Sequence, residues 1–152
     1  MFSFEIKKIR PEQTLELRSS IMKPYLRPDQ CVNPGDQDPL TFHLGAMGPN
    51  DQLMGIATFL PDPHPFFPSS HHPYRLRGMA SLPEVQRQGV GRALVQEGEK
   101  ILASRGADLL WFNAREKAFA FYLALGFEMT GEFFELDRIG PHKVMFKNLI
   151  RP

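Results

Sequence analysis

The chain has 152 residues, 42% hydrophobic and 23% charged, with 18 Lys plus Arg against 17 Asp plus Glu and a net charge of +1. That size and usage describe one ordinary folded domain over residues 1–152 and exclude a disordered chain. A nearly neutral chain also lacks the electrostatic footprint that duplex nucleic acid requires.

The amino-terminal run from Met1 to Lys8 has no apolar stretch of signal-peptide length, and no later run is long enough to span a bilayer. Phe4 to Ile9 alternates as a strand does. Pro11 suits a first helical position, and Glu12 to Met22 reads as a helix that stops before Pro24, with Leu15, Ile21 and Met22 on its apolar side. Residues 24–39 read as loop. They carry the single cysteine, Cys31, so no internal disulfide and no multi-thiolate zinc site can form. These features together predict a reducing, cytoplasmic setting without a membrane partner.

Leu40 to Met47 and Gln52 to Leu60 read as strands joined by the turn cluster Gly48-Pro49-Asn50-Asp51. Pro61 to Pro73 is a proline-rich loop, read as flexible. It lies within the stretch from Pro24 to Pro83 that holds eleven of the 14 prolines. Tyr74 to Leu82 is a further strand, and Gly89 to about Ser104 a helix with Val90, Leu94, Ile101 and Leu102 at helical spacing. The apolar run Leu109-Leu110-Trp111-Phe112 reads as a buried strand, and Lys117 to Leu125 as a helix stopped by Gly126. Glu128 to Leu136 and Lys143 to Leu149 close the chain as strands. The fold class is therefore α/β (α+β), with helices flanking a mixed, largely antiparallel sheet of about six to seven strands.

The segment from Met79 to Leu94 carries the clearest chemistry. A strand ends, a short turn follows, and Gly89 and Gly91 open a helix. Free amides at a helix start carry partial positive charge, and glycines let an anion approach the backbone. Arg87 and Arg92 can add charge-assisted contacts, so the segment reads as a phosphate or pyrophosphate site. It is not a P-loop, because Arg92 and Ala93 follow Gly91 where Lys and Ser or Thr are needed. The Rossmann fingerprint fails at Leu94, where a third small residue belongs.

Three blocks extend this pattern. Gln86-Arg87-Gln88-Gly89-Val90-Gly91 resembles the Gln/Arg-x-x-Gly-x-Gly/Ala signature of the GNAT superfamily of N-acetyltransferases, and Met79 to Glu84 resembles the strand before it. Asn113 to Phe127 resembles a second block, a strand end followed by a helix with Phe-Tyr and then Leu-Gly-Phe. Gly140-Pro-His-Lys-Val-Met-Phe146 is similar to the ending of an ElaA-like branch, with Ile-Gly-Pro-His in place of Gly-Ile-Pro-His.

The resemblance implies an acetyl-coenzyme A dependent N-acetyltransferase that needs no metal and acts on the amine of a small molecule. Transfer would be direct, through a tetrahedral intermediate, in a sheet whose central strands splay at the cofactor. The backbone of Met79, Ala80 and Ser81 would meet the acyl and pantetheine part, and Arg87, Gln88, Gly89, Val90, Gly91 and Arg92 the pyrophosphate. Asn113 would meet the pantetheine arm, and Tyr122 would face the sulfur as general acid. The resemblance also allows a homodimer. An acyl-coenzyme A binding module without catalysis, or an unrelated nucleotide-binding domain, are the alternative classes.

For the general base, His142 is the first candidate against a reading as a surface-turn histidine, and His43 can face either a cleft or the core. Glu132 and Glu135 lie three apart on a strand, so at most one faces a cleft. A metal site from His64, His71 and His72 is set aside. The loop offers no thiolate support, and the strand that follows carries it roughly 26 Å from Leu82 at about 3.3 Å per residue. In the resembled fold the acceptor would be held by about 21–39 and 136–142, where Asp29 or Asp36 could hold a substrate ammonium, against a reading of each, like Arg27, as a solvated loop charge.

Overall fold

The computed structural model describes residues 3–136 and 139–149. Met1 and Phe2 of the amino-terminal run, and Asp137 and Arg138 of the expected acceptor segment, lie outside the described residues. Among the described residues there are seven strands: β1 (Glu5–Ile9), β2 (Phe42–Met47), β3 (Leu53–Pro61), β4 (Pro73–Ser81), β5 (Leu109–Arg115), β6 (Glu128–Leu136) and β7 (Gly140–Asn148). Their order is β1-β2-β3-β4-β5-β7-β6. Among the described residues no helix is long and apolar enough to cross a membrane.

By contact density the chain divides into two compact units, Met1–Pro61 with Leu76–Ile101, and Asp62–Arg75 with Leu102–Pro152. In the first unit β1 pairs antiparallel with β2, from Glu5↔Met47 to Ile9↔His43, and β2 with β3. The turn between β2 and β3 uses left-handed backbone at Asn50 and Asp51. Both residue types tolerate that conformation. β3 is buried along almost its whole length, as expected of an inner strand.

The segment expected as one helix over Glu12 to Met22 changes pitch instead. A 3₁₀ turn (Pro11–Thr14) leads into one α turn, α1 (Leu15–Leu17), and then a π turn (Arg18–Met22). The Lys23 amide donates to both Arg18 O and Ser19 O, and Pro24 disfavours further helix. Leu17 packs with Ile56 and Ala80, bordered by Ile9, Ile21, Leu53 and Leu82.

Helix α2 (Val90–Ser104) rests on two glycine contacts. A Cβ at Gly55 of β3 would stand 2.7 Å from Val90 Cγ1, so glycine there lets the first turn of α2 settle onto the strand. A Cβ at Gly98 would stand 2.1–2.7 Å from the ring of Phe59, which is itself stacked on Phe42 at 5.0 Å. Helix propensity alone predicts that Gly98→Ala stabilises by about 1 kcal/mol. Overpacking against a fixed ring costs about 1–3 kcal/mol. We expect a net loss, read as a lower thermal midpoint; a raised midpoint would show that Phe59 yields.

The second unit holds the parallel pairs Pro73↔Leu109, Tyr74↔Leu110 and Arg75↔Trp111, and the antiparallel ladders β5–β7 and β6–β7. α2 ends in a Schellman motif, Ala107 N–H to Leu102 O and Gly106 N–H to Ala103 O, with Gly106 left-handed. Helix α3 (Phe119–Ala124), preceded by a 3₁₀ turn (Glu116–Ala118), ends the same way through Gly126. Leu109, Trp111 and Val144 form the core with Phe67, Phe134 and Phe146.

The proline-rich loop is anchored rather than flexible. Trp111 Nε1 donates to Asp62 O at 2.8 Å, and Asp108 accepts from Ser70 Oγ and the amides of His71 and His72. His64 lies edge-on to Trp111 at 4.6 Å, and its Nδ1 accepts the Phe66 amide. Its ring serves packing.

Strand β7 begins at Gly140, three residues before the expected start. Pro141 is tolerated because its described pairing is to Glu135 of β6, while the β5 ladder starts at His142.

Candidate active site

In the first unit β4 ends at Ser81, and the Leu82 amide is tied to Met54 O at 2.9 Å. A 3₁₀ turn (Pro83–Val85) follows and buries Val85. The chain then turns through Arg87, with φ 66, and Gly89, with φ 87. Left-handed backbone at a non-glycine costs about 1–2 kcal/mol, so Arg87 is a locally strained position. No atom lies within 4 Å of where a Gly89 Cβ would stand, so its glycine serves conformation and open approach.

Beyond this turn the Ala93 amide bonds Gly89 O at 3.0 Å, closing the first turn of α2. Helix geometry leaves the amides of Val90, Gly91 and Arg92 without intrahelical acceptors. Arg87, Gln88 and Gly89 are exposed, as is Arg92, while Val90 is buried against Gly55. The expected pyrophosphate residues are thus one contiguous turn with free amides and two solvent-facing guanidiniums. Met79 and Ser81 are half-buried, and Ala80 belongs to the core.

The same unit contains a polar network that sequence reading missed. Arg18 is 2% exposed and Asp36 5%. Their bond is bidentate, Nη1 to Oδ2 at 2.6 Å and Nη2 to Oδ1 at 3.0 Å. Asp36 is therefore not the solvated loop charge that its neighbours suggested. Arg18 Nη1 also donates to Cys31 O, and Nη2 to Thr58 Oγ1. His43 faces this core, with Nδ1 2.7 Å from Thr58 Oγ1 and Nε2 3.1 Å from Asp36 O. Since the carbonyl can only accept, Nε2 carries the proton and Nδ1 accepts from the Thr58 hydroxyl. That arrangement requires a neutral ring.

Burial and the Arg18 charge hold the His43 pKa below its ordinary 6.5, against the pull of Asp36. Burial pushes Asp36 up, but the Arg18 hydrogen bonds and charge and the Asn33 amide outweigh it, leaving a net lowering from 3.8. Both groups bind protons more readily unfolded, so stability falls as pH falls. We expect a thermal midpoint that is level between about pH 7 and 9, declines below about 6.5 as His43 titrates, and declines again below about 4. His64, lowered chiefly by burial, adds to the first step. A midpoint unchanged from pH 7 to 5 would contradict this.

In the second unit Tyr122 sits on α3 among aromatic rings, 4.3 Å from Phe112, 4.9 Å from Phe121 and 5.9 Å from Phe127. The Schellman ending fixes it locally, since Phe127 N–H donates to Tyr122 O. Burial pushes its phenol pKa upward, only partly offset by Arg115. Asn113 is half-buried in β5, opposite Val144.

His142 is 3% exposed within β7, opposite Arg115 and Phe134, and not in a surface turn. Its Nδ1 lies 2.8 Å from Gly140 O, so Nδ1–H donates and Nε2 keeps a lone pair in the neutral ring. Glu132 and Glu135 are both exposed. The bulge at left-handed Gly131 shifts the register between Thr130 and Phe134, which breaks the simple alternation argument.

Comparison with known proteins gives the family and the fold. The sequence pattern of the "Acetyltransferase (GNAT) family" matches residues 5–127. The chain belongs to the GNAT family. GNAT membership makes it an acetyltransferase, as the three sequence blocks implied. YitI of Bacillus subtilis (strain 168), described as an uncharacterized N-acetyltransferase, is 37% identical over 145 residues, covering 95% of this chain and 96% of YitI. Among solved structures, Escherichia coli ElaA superposes with a TM-score of 0.76 at 19% identity, covering 95% of this chain and 99% of ElaA. An aminoglycoside 6'-N-acetyltransferase complexed with coenzyme A gives 0.76 at 19% identity, covering 97% and 99%. These likenesses show the GNAT fold.

Proposed function

We propose that the chain, as one acetyltransferase domain over residues 1–152, moves an acetyl group from acetyl-coenzyme A to the amine of a small molecule by direct attack. The turn from Gln86 to Arg92 carries the reading. Its left-handed Arg87 and Gly89, its free helix amides and its two exposed arginines form a donor set suited to a pyrophosphate. The Met79–Ser81 backbone would hold the acyl and pantetheine part, and Asn113 the pantetheine arm.

An alkyl amine with a pKa of about 10.4 is neutral in only about one part in 2500 at pH 7, so a base must take its proton. His142 Nε2 is the base in this proposal, with Gly140 O fixing the tautomer. The amine lone pair forms the C–N bond through a tetrahedral intermediate, and the C–S bond breaks to release thiolate. Tyr122 donates a hydrogen bond to the departing sulfur. An ordinary phenol near 10 against a thiol near 8.5 makes complete proton transfer uphill by roughly 2 kcal/mol. Burial raises the Tyr122 phenol further, so Tyr122 stabilises the thiolate by hydrogen bonding, and solvent protonates it afterwards.

The test is thiol release from acetyl-coenzyme A across a panel of small amines. Amine-dependent release supports the proposal. Coenzyme binding with no release for any amine points instead to a binding module.

A further inference from the structure

Arg18 opens a π turn, a local widening often found near functional sites. All four Nη hydrogens are used, on Cys31 O, on both oxygens of Asp36 and on Thr58 Oγ1. The guanidinium is therefore fixed in plane and direction from the loop and from β3. Its Nε is buried without a hydrogen-bond partner. Such a group is destabilising, and stability alone favours an apolar side chain in its place.

What faces that nitrogen is Gly78 of β4. A Cβ on Gly78 would stand 3.3 Å from Arg18 Nε and 4.0 Å from Nη2. Gly78 has φ 66, a left-handed turn inside a strand, and Met79, Ala80 and Ser81 follow it directly. A clamped guanidinium cannot swing aside, so the strand must bend where only glycine fits both the conformation and the space.

We propose that Arg18 is a positioning residue for the acyl donor: its clamped guanidinium sets the turn of β4 at Gly78, and with it the direction in which Met79–Ser81 presents its backbone. The inference rests on the reading of Met79–Ser81 as the acyl-donor strand.

A double-mutant cycle tests it, with Arg18→Lys, Gly78→Ala and their combination. Calorimetry gives the Kd for acetyl-coenzyme A, steady-state kinetics the KM for each substrate, and thermal melts the folded fraction. Wild-type protein is titrated first, and failure to bind there sinks the reading of the cofactor strand itself. If both residues act on one turn, each single change raises the coenzyme Kd about tenfold with the acceptor KM unchanged, and the double variant is no worse than the weaker-binding single. Multiplying effects would show independent roles and overturn the proposal. So would a lowered midpoint with wild-type Kd in the folded protein, the pattern of a purely structural arginine. Should Arg18→Lys not fold, Thr58→Val takes its place, freeing one arm of the fork at nearly constant volume.

Discussion

Asp36→Ala should destabilise the protein by about 3–5 kcal/mol and lower its thermal midpoint sharply while leaving most molecules folded at room temperature. The substitution strands the Arg18 guanidinium at 2% exposure without the carboxylate that now meets both its arms at 2.6 and 3.0 Å. Removing one partner of a buried pair costs about 3–5 kcal/mol, because the remaining charge stays desolvated. A domain of this kind has only about 5–15 kcal/mol to lose. The Asn33 amide loses its acceptor as well, which loosens the loop after Cys31. Replacing both partners by apolar residues, Arg18→Met with Asp36→Leu, should recover much of that loss, since no charge is then left buried. Denaturant titration of the three proteins decides it. A loss below about 1 kcal/mol for Asp36→Ala would mean that water screens the pair as it does at a surface.

Tyr122→Phe should remove turnover while leaving the protein folded and able to bind the coenzyme. The ring stays among Phe112, Phe121 and Phe127, and only the hydroxyl is lost. If that hydroxyl stabilises the leaving thiolate, kcat should fall by roughly 10²–10³, the usual effect of deleting one donor to developing charge. The coenzyme Kd should stay within about twofold, because the interaction grows only as charge develops. Burial keeps the Tyr122 phenol neutral through ordinary assay conditions, so the wild-type rate should show no loss from its ionisation between pH 8 and 10. A Tyr122→Phe enzyme with wild-type kcat would remove Tyr122 from the mechanism.

Local pattern made much of this protein readable. The apolar run at Leu109 placed β5, the strand read over Glu128 to Leu136 is β6, and Gly126 ended α3 at the position where a left-handed residue is needed. The turn at Gln86–Arg92 was legible as a glycine-opened helix start because its residues are consecutive. What stayed hidden depends on contacts between distant positions. Asp36 looks like any loop carboxylate until the fold brings it to Arg18, eighteen residues earlier in the chain. Gly55 is unremarkable in a strand until Val90 is set against it, and Gly98 looks like a weak point of α2 until the Phe59 ring fills the space above it. The single helix expected before Pro24 failed for a different reason. Its apolar spacing signals a helix, but spacing over so few residues does not encode the successive 3₁₀, α and π pitches. The last strand was expected only from Lys143 because Pro141 reads as a strand breaker, although one-sided pairing makes proline harmless there.

The turn from Gln86 to Arg92 and the Met79–Ser81 backbone are proposed to hold an acyl-coenzyme A. Calorimetric titration with acetyl-coenzyme A, with desulfo-coenzyme A and ATP as controls, tests this most directly. Saturable one-site binding of both coenzymes and none of ATP is the result the account predicts. Absence of coenzyme binding, or binding of ATP with equal affinity, would contradict it.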